Sequence, residues 1–312
     1  MSVRVASSTS ILLFFLLFLG VRDERYSAMM DRFSIEKLKE HVQNINFDRN
    51  PYDRHTELEE AAQYIEREFL RIGLEVKKDV FQWEGKTYRN IVAEKRGTSP
   101  RREVLIVGAH YDTVPGSPGA DDDASGVAVL LELARNIQEV SLRTTVRWIA
   151  FALEEYGYAG SIHCAEEAGR KGEKILGMIS LEAVGFTGPK QDYPPYLNPK
   201  YYPQIGDFIG IVGNERSKAL LEKVHHCFKT WIPQLPSEFL LVPGNGEGME
   251  EVRLSDHSPF WDQGFPALLV TDTAFLRNLN YHLPSDTIKT LDFEFMRKVA
   301  AGIYYSMMEL AK

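Results

Sequence analysis

The chain has 312 residues, 44% hydrophobic and 26% charged, without repeats or low-complexity tracts; this excludes a solenoid or a disordered chain and allows one large buried core. A formal net charge of −8, with no Lys/Arg cluster interleaved with aromatic rings, excludes a nucleic-acid partner and favours small substrates. The two cysteines, Cys164 and Cys227, are too few for a disulfide framework and lack the paired spacing of a thiolate zinc site. Buried thiols are expected, with one disulfide between them as the alternative in an exported chain.

In chain order, Arg4 precedes an apolar run over residues 11–21, which has the length of a signal-peptide core and is short for a membrane span. Residues 1–28 are read as a signal peptide, with Tyr26-Ser27-Ala28 as a cleavage region, or as a non-native extension ahead of a start at Met29 or Met30. Export is the leading expectation, and a cytoplasmic location follows from the later start. No stable membrane partner is expected unless this segment is retained as an anchor. Residues 29–312 are expected to form a single domain, and oligomeric state leaves no signature.

Apolar positions at helical spacing predict helices over 35–42 and 57–71, the second ended by Gly73. Strands are predicted over 75–83 and 87–94, paired through a turn near Glu84-Gly85-Lys86 and opening the sheet as a meander. The continuous apolar run 104–109 reads as a strand covered on both faces, followed by a helix over 124–137. Strand 146–153, helix 158–171 and strand 175–184 repeat the alternation. A segment rich in Pro and Tyr, 189–203, breaks it as a surface loop that either walls a pocket or packs as an excursion with no substrate contact. Strand 208–213, helix 217–229, strand 267–272 and helix 293–310 complete an α/β chain: a mixed, mostly parallel central sheet sandwiched between helices.

The side chains that carry chemistry sit where predicted strands end or in the adjoining loops. His110 and Asp112 close the strand at 104–109, Asp121-Asp122-Asp123 lie in the next loop, Glu154-Glu155 follow strand 146–153, Glu182 ends strand 175–184, and His282 lies beyond strand 267–272. Open α/β sheets bind ligands outside the carboxyl ends of their strands. Imidazole with carboxylate suits zinc, and a carboxylate with two free oxygens can bridge a pair of cations, so five such ligands can hold two metals. Taken singly, each motif has an ordinary explanation: Glu154-Glu155 a solvated turn, the aspartates an acidic helix N-terminus, His282 a surface histidine, His110 a strand cap. Their joint occurrence carries the metal reading. His163 and the pair His225-His226 fall in predicted helices and need no catalytic duty.

The motifs HYDTV, GADDDASG, FALEE, SLEAVG and NYHLPSDT occur in the order found in the co-catalytic zinc aminopeptidases, and the chain resembles that family from about Glu57 to its C-terminus. Relatives in the family include bacterial leucine aminopeptidases, glutamate carboxypeptidases and glutaminyl cyclases. The resemblance implies a zinc-exopeptidase fold and two zinc ions bridged by Asp122, with Glu155 and His282 completing one site and His110 and Glu182 the other. It further implies Glu154 as general base for a metal-activated water, peptides as substrates, and Tyr281 as donor to the developing oxyanion, with ring packing as its plainer role. Asp112 is expected to orient His110 and Asp286 to do the same near His282. His257 is tempting as a ligand, but the family's second metal histidine matches His282, which leaves His257 as an expected pocket residue or a support behind the ligands, and Asp256 as an expected pocket residue that binds a substrate amine or holds a loop. Glu182 departs from the Asp of many aminopeptidases and is shared with carboxypeptidase cousins, so the direction of cleavage stays open. The rivals are a carboxypeptidase, a one-zinc glutaminyl cyclase and a non-catalytic interaction domain.

Overall fold

A computed structural model describes residues 29–312, so the signal peptide or extension expected over residues 1–28 lies outside the described residues. Helix α1 (Ile35–Ile45) starts where the Ser34 side chain accepts a hydrogen bond from the Lys37 backbone N–H at 3.2 Å, an N-cap that satisfies one orphan donor. It buries Leu38, His41, Val42 and Ile45 on one face. Helix α2 (His55–Ile72) buries Leu58, Ala61, Ile65 and Phe69 and ends at Gly73, whose φ of 85° is open to glycine at little cost. Strands β1 (Glu75–Trp83) and β2 (Lys86–Lys95) pair antiparallel from Trp83↔Lys86. The turn between them places both Glu84 and Gly85 at positive φ, the backbone of a two-residue hairpin loop matched to strand twist.

That hairpin does not continue as a meander. Strand β2 pairs antiparallel with β4 (Thr145–Phe151), and β3 (Glu103–His110) lies beyond β4. The full order is β1-β2-β4-β3-β5-β8-β6-β7, with β5 at Lys174–Glu182, β6 at Ile209–Asn214, β7 at Ser237–Val242 and β8 at Ala267–Thr271. Strands β4, β3, β5 and β8 run parallel to their neighbours in that series, while β6 runs antiparallel to β8. The sheet is therefore mixed with a parallel centre, as the alternation of elements predicts. Strand β7 was not predicted: its apolar run, Phe239-Leu240-Leu241-Val242, is only four residues long, and its inner residues alternate between half-buried and exposed at the sheet edge.

Alternate residues of the central strands divide the core. Leu105, Val107, Ala109, Trp148 and Ala150 face a cluster shared with α1, α2, α3 (Gly126–Ile137), α5 (Lys218–Trp231) and α7 (Phe293–Ala311). Val104, Ile106, Ile149 and Phe151 face the opposite layer, built from α4 (Ala159–Lys171) and the short α6 (His257–Asp262). Covering on both faces explains why these strands read as uninterrupted apolar runs. Cys164 in α4 and Cys227 in α5 are buried free thiols, which removes the disulfide alternative. Among the described residues no helix is long and apolar enough to cross a membrane.

One buried cation ties the first helix to the loop after β3. Arg49 is wholly buried and donates to the backbone carbonyls of Ile45, Phe47, Tyr111, Pro118 and Gly119 at 2.6–3.1 Å. Its pKa falls to about 10 through burial, against the opposing pull of the Asp112, Asp122, Asp123 and Asp286 carboxylates. Replacing Arg49 with Met would keep much of the apolar stem but leave these buried acceptors unpaired, so we expect a loss of about 3 kcal/mol or more, read from urea unfolding. Arg49→Lys should not restore it, because an ammonium lacks the planar fork.

Candidate metal centre and adjoining pocket

The parallel strands end on one edge of the sheet, and their ends bring the acidic and imidazole side chains together. His110 is the last residue of β3 and Glu182 the last of β5. Glu154 and Glu155 follow β4, and Asp122 lies in a kinked turn over Ala120–Ser125 where Asp122 and Asp123 have non-helical backbone. This kink is why α3 begins at Gly126 and not at 124 as predicted. Leu153, Ala183 and His282 all have positive φ, at 62°, 48° and 60°. Each is a metal-ligand candidate or stands beside Glu154 or Glu182, and such left-handed conformations cost about 1–3 kcal/mol apiece for residues with a side chain.

Asp122 faces both histidines. Its Oδ1 lies 2.9 Å from His110 Nε2 and its Oδ2 lies 3.0 Å from His282 Nε2. Glu182 Oε1 is 3.6 Å from His110 Nε2, and Glu155 Oε1 is 3.1 Å from His282 Nε2. The five residues thus fall into two groups that share Asp122, His110 with Glu182 and His282 with Glu155. Asp122 Oδ2, Glu155 Oε1, Glu182 Oε2 and His282 Nε2 are buried atoms without a hydrogen-bond partner. Short separations without hydrogen-bond angles are what lone pairs directed at a common cation produce, so the donor set fits metal ions. Asp123 also approaches His110 and Glu182, but its carboxylate accepts the backbone N–H groups of His110, Gly126 and Ala183, which makes Asp122 the better bridge.

The neighbouring carboxylates hold the ligands in place. Asp112 lies 3.5 Å from His110 Nδ1 and also accepts the backbone N–H groups of Glu154 and Glu155 at 3.0 and 3.1 Å, so it clamps the Glu154-Glu155 turn as well as facing the imidazole. Asp286 does not serve His282 as expected. It accepts the backbone N–H groups of Asp121 and Asp122 at 3.0–3.2 Å, fixing the bridging loop, while the ion pairs of His282 run to Asp122 and Glu155. Asp121, to which no role was assigned, accepts from Gly185 N and Asn278 Nδ2.

Burial dominates the electrostatics of the carboxylates. It drives Glu154 well above the ordinary range and Glu155 up to about 8, reinforced by neighbouring carboxylates. Asp122 is the exception: burial opposes its ionisation, but the neighbouring His110 and His282 outweigh it and hold Asp122 well below the usual range. His282 is correspondingly raised to about 10, against burial, by Asp122 and Glu155.

The remaining predicted residues fall in different places. Asp256 is wholly buried, with its carboxyl pushed up to about 7 by burial, and feels the charges of His110, Glu182 and Asp112. His257 is turned into the core: its Nε2 lies 2.9 Å from Val252 O, its ring meets Trp261 edge-on, and burial lowers its pKa to about 3. Neither of the two lines the pocket beside the centre, which corrects their expected placement. Tyr281 does line it, with its ring stacked on His282 at 3.8 Å between centroids, and burial keeps its hydroxyl protonated. His163 pairs with Asp79 and His225 with Ser237 O, away from the centre.

The pocket holds about 120 Å³ and opens beside Glu182 and Tyr281. Tyr193, Tyr196 and Tyr202 of the loop over 189–203 form part of its wall, so that loop is not a remote excursion. Among the described residues that line it, every charged side chain is a glutamate.

The model of peptidase family M28 matches residues 90–307. The chain belongs to this family. It is 34% identical over 259 residues to the uncharacterized protein YfbL of Escherichia coli (strain K12), covering 79% of this chain and 78% of that protein. With Aminopeptidase YwaD of Bacillus subtilis (strain 168) it shares 40% identity over 235 residues, 72% of this chain and 46% of that one. The M28 chain thus spans about half the length of that aminopeptidase. The LapA aminopeptidase of Legionella pneumophila superposes with a TM-score of 0.72 at 19% identity, covering 93% of this chain and 75% of that one, a likeness of fold. The family resemblance read from the motifs therefore holds.

Asp112 is the sharpest test of how the centre is held. Asp112→Asn keeps the side-chain shape but weakens the carboxylate facing His110, so zinc affinity should fall about 10- to 100-fold, measured by competition with a chromophoric chelator. An affinity equal to that of the unaltered protein would show that Asp112 serves only the Glu154-Glu155 turn.

Proposed function

We propose that the chain is a zinc-dependent aminopeptidase that holds two zinc ions and removes the N-terminal residue from peptides. The observation that carries the direction of cleavage is the charge of the pocket. Glu238 and Glu251 add to Glu182 an acidic lining, whose field disfavours a C-terminal carboxylate. Glu182, although longer than the Asp of many relatives, still reaches within 3.6 Å of His110, so its length alone does not make the site a carboxypeptidase. The aminopeptidase name of YwaD supports the same reading.

The residues present would hold the metals in two sets, His110 with Glu182 and His282 with Glu155, joined by Asp122. Zinc bound there supplies a Lewis acid that polarises a peptide carbonyl and lowers the pKa of water. Glu154 is buried beside these ligands, as suits a group that would take a proton from the attacking water and return it to the leaving amine. Tyr281, held protonated and stacked on His282, would donate a hydrogen bond to the oxygen that gains charge.

Glu154→Gln should keep its zinc by metal analysis while kcat falls by about 10²–10⁴-fold; unchanged turnover would remove Glu154 from the chemistry. Asp122→Ala should instead lose metal, and retention of two zinc ions per chain would rule out the bridge. The direction of cleavage is settled by incubating the metal-analysed protein with short peptides, free or blocked at either end, and identifying products by mass spectrometry. Stepwise N-terminal loss that requires a free amine supports the proposal. C-terminal loss would favour a carboxypeptidase, and pyroglutamate formation with one zinc a cyclase.

A further inference from the structure

The pocket beside the metal centre combines two surfaces that a plain aliphatic side chain would not use together. Its walls mix aromatic rings, among them Tyr193, Tyr196 and Tyr281, with aliphatic side chains such as Ile211 and Leu269, and they carry two carboxylates, Glu238 on β7 and Glu251 ahead of α6. Both glutamates are half-buried, and neither forms an ion pair among the described residues. The cations nearby are engaged elsewhere. Arg253 binds Asp262 and the Asn245 carbonyl, while Arg277 lies over Phe208, donates to Gln191 and the Phe186 carbonyl, and feels the charge of Asp272. Glu251 is fixed in place, because its Oε2 accepts the Tyr196 hydroxyl at 2.9 Å.

We propose that this pocket selects peptides whose N-terminal side chain is a long cation, lysine or arginine, an assignment that rests on the aminopeptidase reading. The methylene stem of such a residue packs against the rings, and its head meets aromatic faces and the two carboxylates. A leucine or phenylalanine side chain would fill the apolar walls but would cover Glu238 and Glu251 without pairing them, which is costly for a partly desolvated charge. Glu238 and Glu251 are thus the specificity-determining residues, distinct from Glu154 and the metal ligands.

Lysine and norleucine share a stem and differ in the ammonium group, so their comparison isolates the charge. On the zinc-loaded protein, kcat/KM for N-terminal lysine and arginine should exceed that for norleucine by about 10-fold or more, the scale of one charged hydrogen bond. Glu238→Gln and Glu251→Gln should each narrow the lysine-to-norleucine ratio, and the double variant should erase it, with circular dichroism confirming that each variant is folded. A binding measurement separates this assignment from the catalytic one: lysinamide and norleucinamide are titrated calorimetrically into zinc-loaded Glu154→Gln protein, with and without the two pocket substitutions. Preferred binding of lysinamide that disappears with those substitutions upholds the pocket assignment even if no peptide is cleaved, an outcome that would sink the aminopeptidase reading alone. Equal or better binding and turnover of norleucine, or a lysine preference that survives in the double variant, would overturn it.

Discussion

The site depends on three successive aspartates whose carboxylates are sent in three directions by the backbone around them. Asp121 accepts from Gly185 N and the Asn278 amide, Asp123 accepts from the N–H groups of His110, Gly126 and Ala183, and Asp122 between them faces the two histidines. Buried carboxylates are costly unless satisfied. The outer two are satisfied by backbone and amide donors, and in being so they stitch the ends of β3 and β5 and the segment before His282 to one loop. The middle one is left to the histidines. Removing either flanking contact would release the geometry on which the whole ligand set relies.

The same economy is seen beyond that loop. Asp286 holds the N–H groups of Asp121 and Asp122, Asp112 holds those of Glu154 and Glu155, and Arg49 holds the carbonyls on the far side. Each of these three charges is therefore used on the backbone, and the polar groups left unpaired include the ligand candidates themselves. Preorganisation of this kind is what separates a binding site from a chance cluster of acids, because the supporting bonds fix the side chains before any ligand arrives.

Much of this was legible in the sequence for a physical reason. The buried strands β3, β4, β5 and β8 announce themselves because both faces are covered, and their last residues or the next few carry His110, Glu154, Glu155 and Glu182. The parts that were not legible depend on distant partners. Strand β7 is a half-exposed edge, Arg49 is a lone arginine with no motif around it, and the partners of Asp286 lie 164 and 165 residues away. His257 misleads for the opposite reason: it stands in a conspicuous Ser-Asp-His run, but the short helix α6 turns its ring against Trp261. The expected strand order also failed where local hairpin geometry cannot say which strand comes next, since β4 inserts between β2 and β3.

The bond from Asp121 N–H to Asp286 spans 165 positions of the chain, and its consequence concerns the order of events during synthesis. Closing so long a loop has an entropic cost that is met only when the intervening elements are already packed. A nascent chain that has emerged only as far as β5 has His110, Asp122 and Glu182 but neither His282 nor the carboxylate that sets the aspartate loop. The ligand set is thus completed only once the segment carrying His282 and Asp286 has emerged, and the centre cannot assemble before that segment is made.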